Sequence, residues 1–217
     1  MKQKIKIWDV PTRLFHWSLP LLFGFMWFSA ETGGSWLLWH KRAGLLLLAL
    51  LVFRIVWGFV GSDTARFAQF VKPQNIAAYL RGTLPSEKQV GHNPLGALMV
   101  LALLGVLLFQ VGTGLFAADE NTFTEHGYLY ALGGDVFGET ARSLHGAAFN
   151  LLLALVALHV AAVVFYRLVK KQDLLAAMVS GRQWRDSVPK LHFAGTGALL
   201  AAVLAAAAAV AAVLAAA

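Results

Sequence analysis

Long apolar blocks, separated by shorter polar or charged segments, dominate the pattern of this chain. Five blocks are long enough to cross a hydrocarbon layer about 30 Å thick as helices, at residues 12–30, 36–60, 94–116, 142–169 and 193–217. Unpaired backbone groups are costly in lipid, so such blocks form α-helices. The pattern therefore predicts an all-α integral membrane protein with a four-helix transmembrane core and a fifth, alanine-rich transmembrane helix.

The same pattern divides the chain into three parts. Residues 1–170 hold the four-helix domain, and no small-residue cleavage site follows its first block, which we expect to be retained. Residues 171–192 form a cytoplasmic amphipathic segment, in which apolar and basic side chains predict a surface helix over 172–185. Residues 193–217 contain only small and apolar side chains over their last twenty positions, so they predict a fifth helix without site chemistry.

Composition narrows the protein class. Apolar residues make up 59% of the chain and charged residues 13%, against about a quarter charged in soluble domains. The absence of cysteine excludes disulfides, c-type haem attachment and cysteine-ligated iron–sulfur clusters within this chain. A net charge of +7 would suit nucleic acid, but the basic residues flank the apolar blocks. That distribution indicates a membrane protein and no nucleic-acid partner.

Loop charges predict the orientation. Basic residues concentrate in segments 2–13, 66–88 and 170–190, which all fall on one side of the membrane. Segment 119–139 on the other side contains five carboxylates and no Lys or Arg. By the positive-inside rule the N-terminus is cytoplasmic, and we expect a multi-pass protein of the bacterial inner membrane whose acidic loop faces the periplasm.

Four histidines lie near the ends of apolar blocks. His145 and His159 are fourteen residues apart on the fourth block, so they project from nearly the same helix face about 21 Å apart in depth. Depth then pairs His16 with His159 near the cytoplasmic side, and His40 with His145 near the outer side. Neutral imidazole ligates haem iron. The spacing therefore predicts two haems, each with its iron between two of these histidines.

Cationic residues and a glycine near these histidines complete the predicted site. Arg54 shares the face of His40 and lies deeper in the same block; it would bind a propionate of the inner haem, or else extend to the lipid headgroups. Lys41 and Arg42 lie at the outer end of the second block, where the positive-inside rule predicts few basic residues. They would bind propionates of the outer haem. Gly44, one turn after His40, either leaves room for a flat macrocycle or permits close helix packing.

The third apolar block contains three glycines and is preceded by a histidine. Gly105, Gly112 and Gly114 lie within that block and are expected to serve helix packing. His92 precedes the block in the sequence Gly-His-Asn-Pro-Leu-Gly at 91–96. It would either cap the helix or contact a quinone.

A set of short motifs carries a family resemblance over roughly residues 5–170. They are Val-Pro-Thr-Arg-Leu-Phe-His-Trp at 10–17, His40 with Gly44, Arg-Ile-Val-Trp-Gly at 54–58, the motif at 91–96 and the histidine pair of the fourth block. In this order they resemble the bacterial membrane cytochrome b561 family, in the branch related to the b-type cytochrome subunit of nickel–iron hydrogenases. The resemblance implies two b-type haems, ligated by His16 with His159 and by His40 with His145, that exchange electrons with quinone.

Two functions fit these expectations. The first is a di-haem electron-transfer protein between ubiquinone or menaquinone and a periplasmic redox partner such as a cytochrome c, which the acidic loop could steer. The alternative is a stand-alone quinol oxidase that produces superoxide from oxygen. A membrane anchor or transporter whose histidines relay protons or bind metal fits poorly, because two histidines 21 Å apart on one helix cannot converge on one ion. Membrane lipid is a partner in each case, and a homo-oligomer is compatible with the sequence.

Overall fold

A computed structural model describes residues 3–85, 90–119 and 125–217 of the chain. Lys2, Lys88 and Glu120, which belong to the charged segments used for orientation, lie outside the described residues. The elements follow one another as β1 (Gln3–Lys6), α1 (Val10–Thr32), α2 (Trp36–Val60), α3 (Phe67–Phe70), α4 (Gln74–Leu80), α5 (Pro94–Phe116), α6 (Tyr130–Leu168), α7 (Leu174–Ser180), β2 (Arg182–Arg185) and α8 (Thr196–Ala215).

Helices long and apolar enough to cross a membrane account for most of the described chain. Within these residues they are α2, α5, α6 and α8. Helix α1 has 23 residues and is not among the four. The predicted helical membrane fold is confirmed, with the alanine-rich segment forming a regular helix.

Side-chain caps explain where two of the helices begin. The Asp9 carboxylate accepts a hydrogen bond from the Thr12 amide at 2.7 Å at the start of α1. The Asn93 side chain accepts one from the Gly96 amide at 2.7 Å at the start of α5. Each satisfies a backbone donor that the first turn leaves unpaired. Asn93 therefore caps α5, and of the two expectations for His92 the capping role is wrong.

Helix α6 is longer than the predicted span. It contains 39 residues and is interrupted at Gly134, whose φ of 70° and ψ of −177° are not helical. A short helical piece thus precedes the membrane-crossing part. The left-handed φ is one that glycine adopts without steric cost.

The helices pack around a core shared by α1, α2, α5 and α6. Extensive backbone contact joins α5 to α6, and α2 to α1, α5 and α8. In the described part of the chain, α6 has no comparable contact with α1 or α2. The buried core consists of Phe15, Leu47, Leu51, Leu104, Leu107, Val111 and Leu152. Helix α6 therefore meets α1 through side chains, such as Phe149 against Phe23 and Trp27, rather than through close backbone contact.

The segment after α6 differs from the surface helix expected over 172–185. Only Leu174–Ser180 is helical, because Gly181 adopts a left-handed φ of 75° that ends α7. The next four residues form β2, which pairs antiparallel with β1. The N-terminal strand thus supplies hydrogen bonds that make an extended conformation favourable there.

Helix α8 packs against α2 through small side chains. Ala202 and Ala206 are buried in that contact, and small residues permit the close approach that stabilises helix pairs in lipid. The segment before α8 is held by Asp63, whose carboxylate accepts a hydrogen bond from the His192 amide at 2.8 Å. The fifth helix is therefore part of the bundle.

Candidate functional site

The four histidines of the predicted site meet as two pairs. His16 on α1 faces His159 on α6, with ring centroids 6.3 Å apart and ring planes at 57°. His40 on α2 faces His145 on α6, with centroids 6.2 Å apart and planes at 77°. These are the pairs that helix depth predicted. We call them the inner pair, His16 with His159, and the outer pair, His40 with His145.

The orientation of His40 is set by α1. Its Nδ1 lies 2.9 Å from the Met26 carbonyl oxygen and 3.3 Å from the Ser29 hydroxyl oxygen. A carbonyl oxygen only accepts hydrogen bonds, so Nδ1 carries the proton and Nε2 keeps its lone pair. His40 therefore presents an imidazole nitrogen able to bind a metal ion.

His145 is oriented in the same way by α5. Its Nδ1 lies 2.8 Å from the Gln110 carbonyl oxygen and 3.2 Å from the Thr113 hydroxyl oxygen. The Gln110 side-chain amide nitrogen, a donor, lies 3.0 Å from His145 Nε2, as expected for a nitrogen with a free lone pair. This amide would have to withdraw when a metal ion binds. Neither Gln110 nor Thr113 carried a signal in the sequence.

Gly114 makes room for the His145 ring. A Cβ built at this position would lie 2.8 Å from His145 Cε1 and 3.1 Å from its Nδ1. Real Cβ atoms essentially never approach a neighbour below 3.0 Å. Gly114 thus serves the packing of α6 against α5, and it does so at a predicted site residue. By contrast, a Cβ at Gly112 would meet nothing within 4 Å.

The inner pair lacks equivalent backbone partners. His16 Nδ1 is buried and has no hydrogen-bond partner within the described residues. The edge of its ring contacts Trp17, with centroids 5.1 Å apart. No hydrogen bond from a His159 ring nitrogen occurs in residues 3–85, 90–119 and 125–217. The two pairs thus share a spacing but differ in what surrounds them.

Arg54 lies in a buried cluster at the inner end of α2. Its side chain is 3% exposed, and its guanidinium lies 5.0 Å from the Phe67 ring centroid. Among the described residues, its Nη1 has no hydrogen-bond partner. An orphaned buried guanidinium nitrogen is costly unless an anionic group satisfies it. This observation fits a propionate.

His92 belongs to the same cluster. Its ring contacts Trp8 and Phe70, with centroid distances of 4.7 Å and 4.4 Å. Burial, with smaller contributions from Arg54 and His16, lowers the pKa of His92 to about 3. The imidazole is therefore neutral at physiological pH, and both Arg54 and His16 lie within its electrostatic range.

The predicted outer cations have partners of their own. Lys41 Nζ forms an ion pair with Glu125 Oε2 at 2.9 Å, so the acidic loop reaches the outer end of α2. The Arg42 guanidinium lies 4.8 Å from the Trp39 ring centroid. A Cβ at Gly44 would meet only the terminal carbon of Met26, at 3.9 Å. The protein itself thus leaves space beside His40.

The spacing of both pairs fits a haem iron between two imidazoles. Imidazole nitrogens bind metal ions at about 2.0–2.1 Å. The centre of a five-membered ring with bonds of about 1.33 Å lies roughly 1.1 Å from each atom. Two imidazoles on opposite sides of one ion therefore have centroids about 6.3 Å apart. The measured values are 6.3 Å and 6.2 Å.

Two further observations bear on the kind of group that fits. Helices α1 and α6 meet through aromatic side chains, with Phe149 against Phe23 and Trp27 at centroid distances of 5.9 Å and 5.7 Å, so the surroundings of the histidine pairs are apolar. No three metal-ligating side chains converge in the part of the chain that the structure describes. The residues therefore fit haem, whose porphyrin supplies the remaining iron ligands.

Comparison with known proteins gives a consistent result. A family model described as prokaryotic cytochrome b561 matches residues 7–181. A probable Ni/Fe-hydrogenase B-type cytochrome subunit from Rhizobium leguminosarum bv. viciae is 25% identical over 215 residues, covering 84% of this chain and 90% of the relative. The corresponding protein of Azotobacter vinelandii is 25% identical over 219 residues, covering 85% and 91%. No solved structure matches the chain.

Proposed function

The chain belongs to the prokaryotic cytochrome b561 family, and on that premise we propose that it carries electrons across the membrane between quinone and a periplasmic redox partner through two b-type haems. The observation that carries this proposal is the pair of facing histidines at each of two depths, with centroids 6.3 Å and 6.2 Å apart. The fourteen-residue spacing of His145 and His159 separates the two levels by about 21 Å. Two such sites shorten each electron-transfer distance across the bilayer.

The site residues have distinct roles in this proposal. His16 and His159 hold the inner haem, and His40 and His145 hold the outer one. Haem supplies a one-electron ferric–ferrous couple, and its potential depends on the axial ligands and their surroundings. The backbone carbonyls that hold Nδ1 of the outer pair keep both rings in the tautomer that leaves Nε2 free to ligate.

Charged residues would bind the propionates. The buried Arg54 side chain, with its orphaned nitrogen, is the partner that we assign to the inner haem. Lys41 and Arg42 are assigned to the outer haem, with Lys41 shared between a propionate and Glu125. Gly44 leaves the space beside His40 that a macrocycle edge needs. These assignments are supported by the burial of Arg54 and by the positions of Lys41 and Arg42 directly after His40 in the sequence.

The redox partner is proposed from the relatives and from loop charge. The relatives are named as hydrogenase cytochrome subunits, so we propose a nickel–iron hydrogenase as the reductant on the outer side, with a cytochrome c as the other redox protein of suitable chemistry. The excess of basic residues in segments 2–13, 66–88 and 170–190 supports a cytoplasmic N-terminus in the bacterial inner membrane. Quinone would react near the inner pair.

Haem counting tests this proposal first. Purified protein is expected to contain two b-type haems per chain by pyridine haemochrome quantitation and a reduced-minus-oxidised spectrum. His159→Ala should remove the inner haem alone and His145→Ala the outer haem alone, whereas His126→Ala, a variant of a histidine outside both pairs, should retain two. Two fully ligated haems in either site variant would contradict the pairing.

Turnover with defined partners tests the direction of the chemistry. Protein in lipid nanodiscs is reduced with a quinol analogue without oxygen, and then mixed with oxygen or with an oxidised redox partner. Fast electron delivery to the protein partner and slow oxygen consumption are expected. Rapid oxygen-dependent turnover that yields superoxide without any partner would instead support the stand-alone oxidase.

A further inference from the structure

The two histidine pairs differ in the hydrogen bonds of their Nδ1 atoms. In the outer pair, His40 Nδ1 donates to the Met26 carbonyl at 2.9 Å and His145 Nδ1 donates to the Gln110 carbonyl at 2.8 Å. Each also has a hydroxyl oxygen within 3.3 Å. In the inner pair, His16 Nδ1 has no partner among the described residues. The outer imidazoles are therefore polarised by backbone acceptors, and the inner ones are not.

This difference changes how strongly each pair stabilises oxidised iron. An imidazole that donates its second N–H to a carbonyl is a more basic ligand. A more basic ligand stabilises the ferric state more than the ferrous state, so it lowers the reduction potential of the site. Both ligands of the outer pair have this hydrogen bond, so their effects add.

Nearby charges are mixed at both levels. The buried Arg54 would raise the potential of the inner site, because a cation disfavours the more positive ferric state, but the buried Asp9 carboxylate lies within its electrostatic range. At the outer level, Lys41 is paired with Glu125 at 2.9 Å, whereas Arg42 lies over the Trp39 ring. The basicity of the ligands is therefore what places the potential of the outer site below that of the inner one.

We propose that the outer histidine pair holds the lower-potential haem and the inner pair the higher-potential haem. The inference rests on the proposed function, because it assumes that both pairs bind haem. This order of potentials sets the direction of electron transfer. Transfer of one electron from the outer site, which is oxidised, to the inner site, which is reduced, is favourable. Electrons from a reductant at the outer face would then run downhill toward quinone at the inner side.

Single-site variants test the order of potentials. His145→Ala should retain only the inner haem, and His159→Ala only the outer haem. The midpoint reduction potential of the remaining haem is measured in each variant by spectroelectrochemical titration in nanodiscs. We expect the midpoint potential of the inner haem to exceed that of the outer haem by at least about 59 mV, which corresponds to a tenfold change in the ferric–ferrous equilibrium. Equal midpoints or the reverse order would overturn the inference.

The same assignment can be made in the intact protein if either variant fails to fold. Arg54→Gln removes the cation that we assign to the inner haem. Whichever of the two midpoint potentials falls in this variant therefore belongs to the inner haem. The inference requires this to be the higher of the two wild-type midpoints, and a shift of the lower midpoint, or of neither, overturns it. Wild-type protein with one haem or none would instead contradict the proposed function.

Thr113 tests the hydrogen-bond cause directly. Thr113→Val removes the hydroxyl that lies 3.2 Å from His145 Nδ1, so the lower midpoint should rise by part of that 59 mV, and Thr113→Ser should restore it. Thr32→Val is the matched control, because its exposed hydroxyl bonds the Phe28 carbonyl and contacts no histidine. A shift of the higher midpoint, no shift at all, or an equal shift in the control would contradict this cause.

Discussion

Replacing Gly114 with alanine tests the outer site most directly. The new Cβ would lie 2.8 Å from His145 Cε1, and ordinary contact begins at 3.4 Å, so the ring must move by about 0.6 Å. A shift of that size would stretch the hydrogen bond from His145 Nδ1 to Gln110 from 2.8 Å toward 3.4 Å, beyond the usual range of about 2.7–3.2 Å. The substitution thus displaces a ligand without removing it.

The expected cost follows from that hydrogen bond. Its loss is worth about 0.5–1.5 kcal/mol, which corresponds to a roughly two- to tenfold weaker affinity of the outer site for haem. Haem is titrated into apoprotein, and occupancy is measured by pyridine haemochrome. Gly112→Ala is the matched control: a Cβ there meets nothing within 4 Å, and both variants gain the same helix propensity, about 1 kcal/mol.

The reasoning would be refuted by either of two results. Wild-type affinity and unchanged midpoints at both sites of Gly114→Ala would show that the His145 ring does not need this space. An equal loss in Gly112→Ala would show that the effect arises from α5 as a whole. Loss confined to the site that His145→Ala removes is the expected outcome.

Three further variants change single charged side chains. Arg54→Leu should lower the inner midpoint and leave the outer one unchanged in a redox titration, and unchanged midpoints at both sites would remove Arg54 from the site. Glu125→Gln should change the free energy of unfolding by less than about 1 kcal/mol, yet raise the outer midpoint because the charge of Lys41 is no longer offset; a fall in that midpoint would contradict this. The hydrogen bond from the His192 amide is the main reason that the pKa of Asp63 lies below its ordinary 3.8. This stabilisation is present above that value and is lost as pH falls through the lowered pKa. Limited proteolysis should therefore cleave before α8 in wild type only at acidic pH and in Asp63→Asn already at neutral pH, whereas equal cleavage of both proteins at pH 7 would exclude this role.

Local sequence was sufficient for the membrane helices and for the two histidine pairs. The predicted blocks at 36–60 and 94–116 coincide with α2 and α5, because an apolar run of that length has only one favourable conformation in lipid. The pairing of His145 with His40, and of His159 with His16, followed from helix rise and loop charge. Whether these pairs ligate haem stays a prediction until the haems are counted.

Contacts between distant segments could not be predicted in this way. Residues 182–185 look like the continuation of an amphipathic helix, but they form a strand because β1, more than 170 residues earlier, offers its backbone. The partners of His145 are a backbone carbonyl of Gln110 and the open space above Gly114. No pattern marks such partners, since a carbonyl belongs to every residue and a glycine in a membrane helix usually serves packing.

The order of residues along the chain was enough to predict a membrane bundle of helices with four histidines at two depths, because helix rise and the cost of unpaired backbone groups in lipid depend on that order only. The surroundings of each histidine depend instead on how the helices pack. That packing places backbone acceptors beside the outer pair, a buried cation near the inner pair and an acidic partner beside Lys41. The backbone acceptors of the outer pair carry the proposed order of potentials, because polarisation acts through space over a few ångströms, and that proximity is established only when the helices pack.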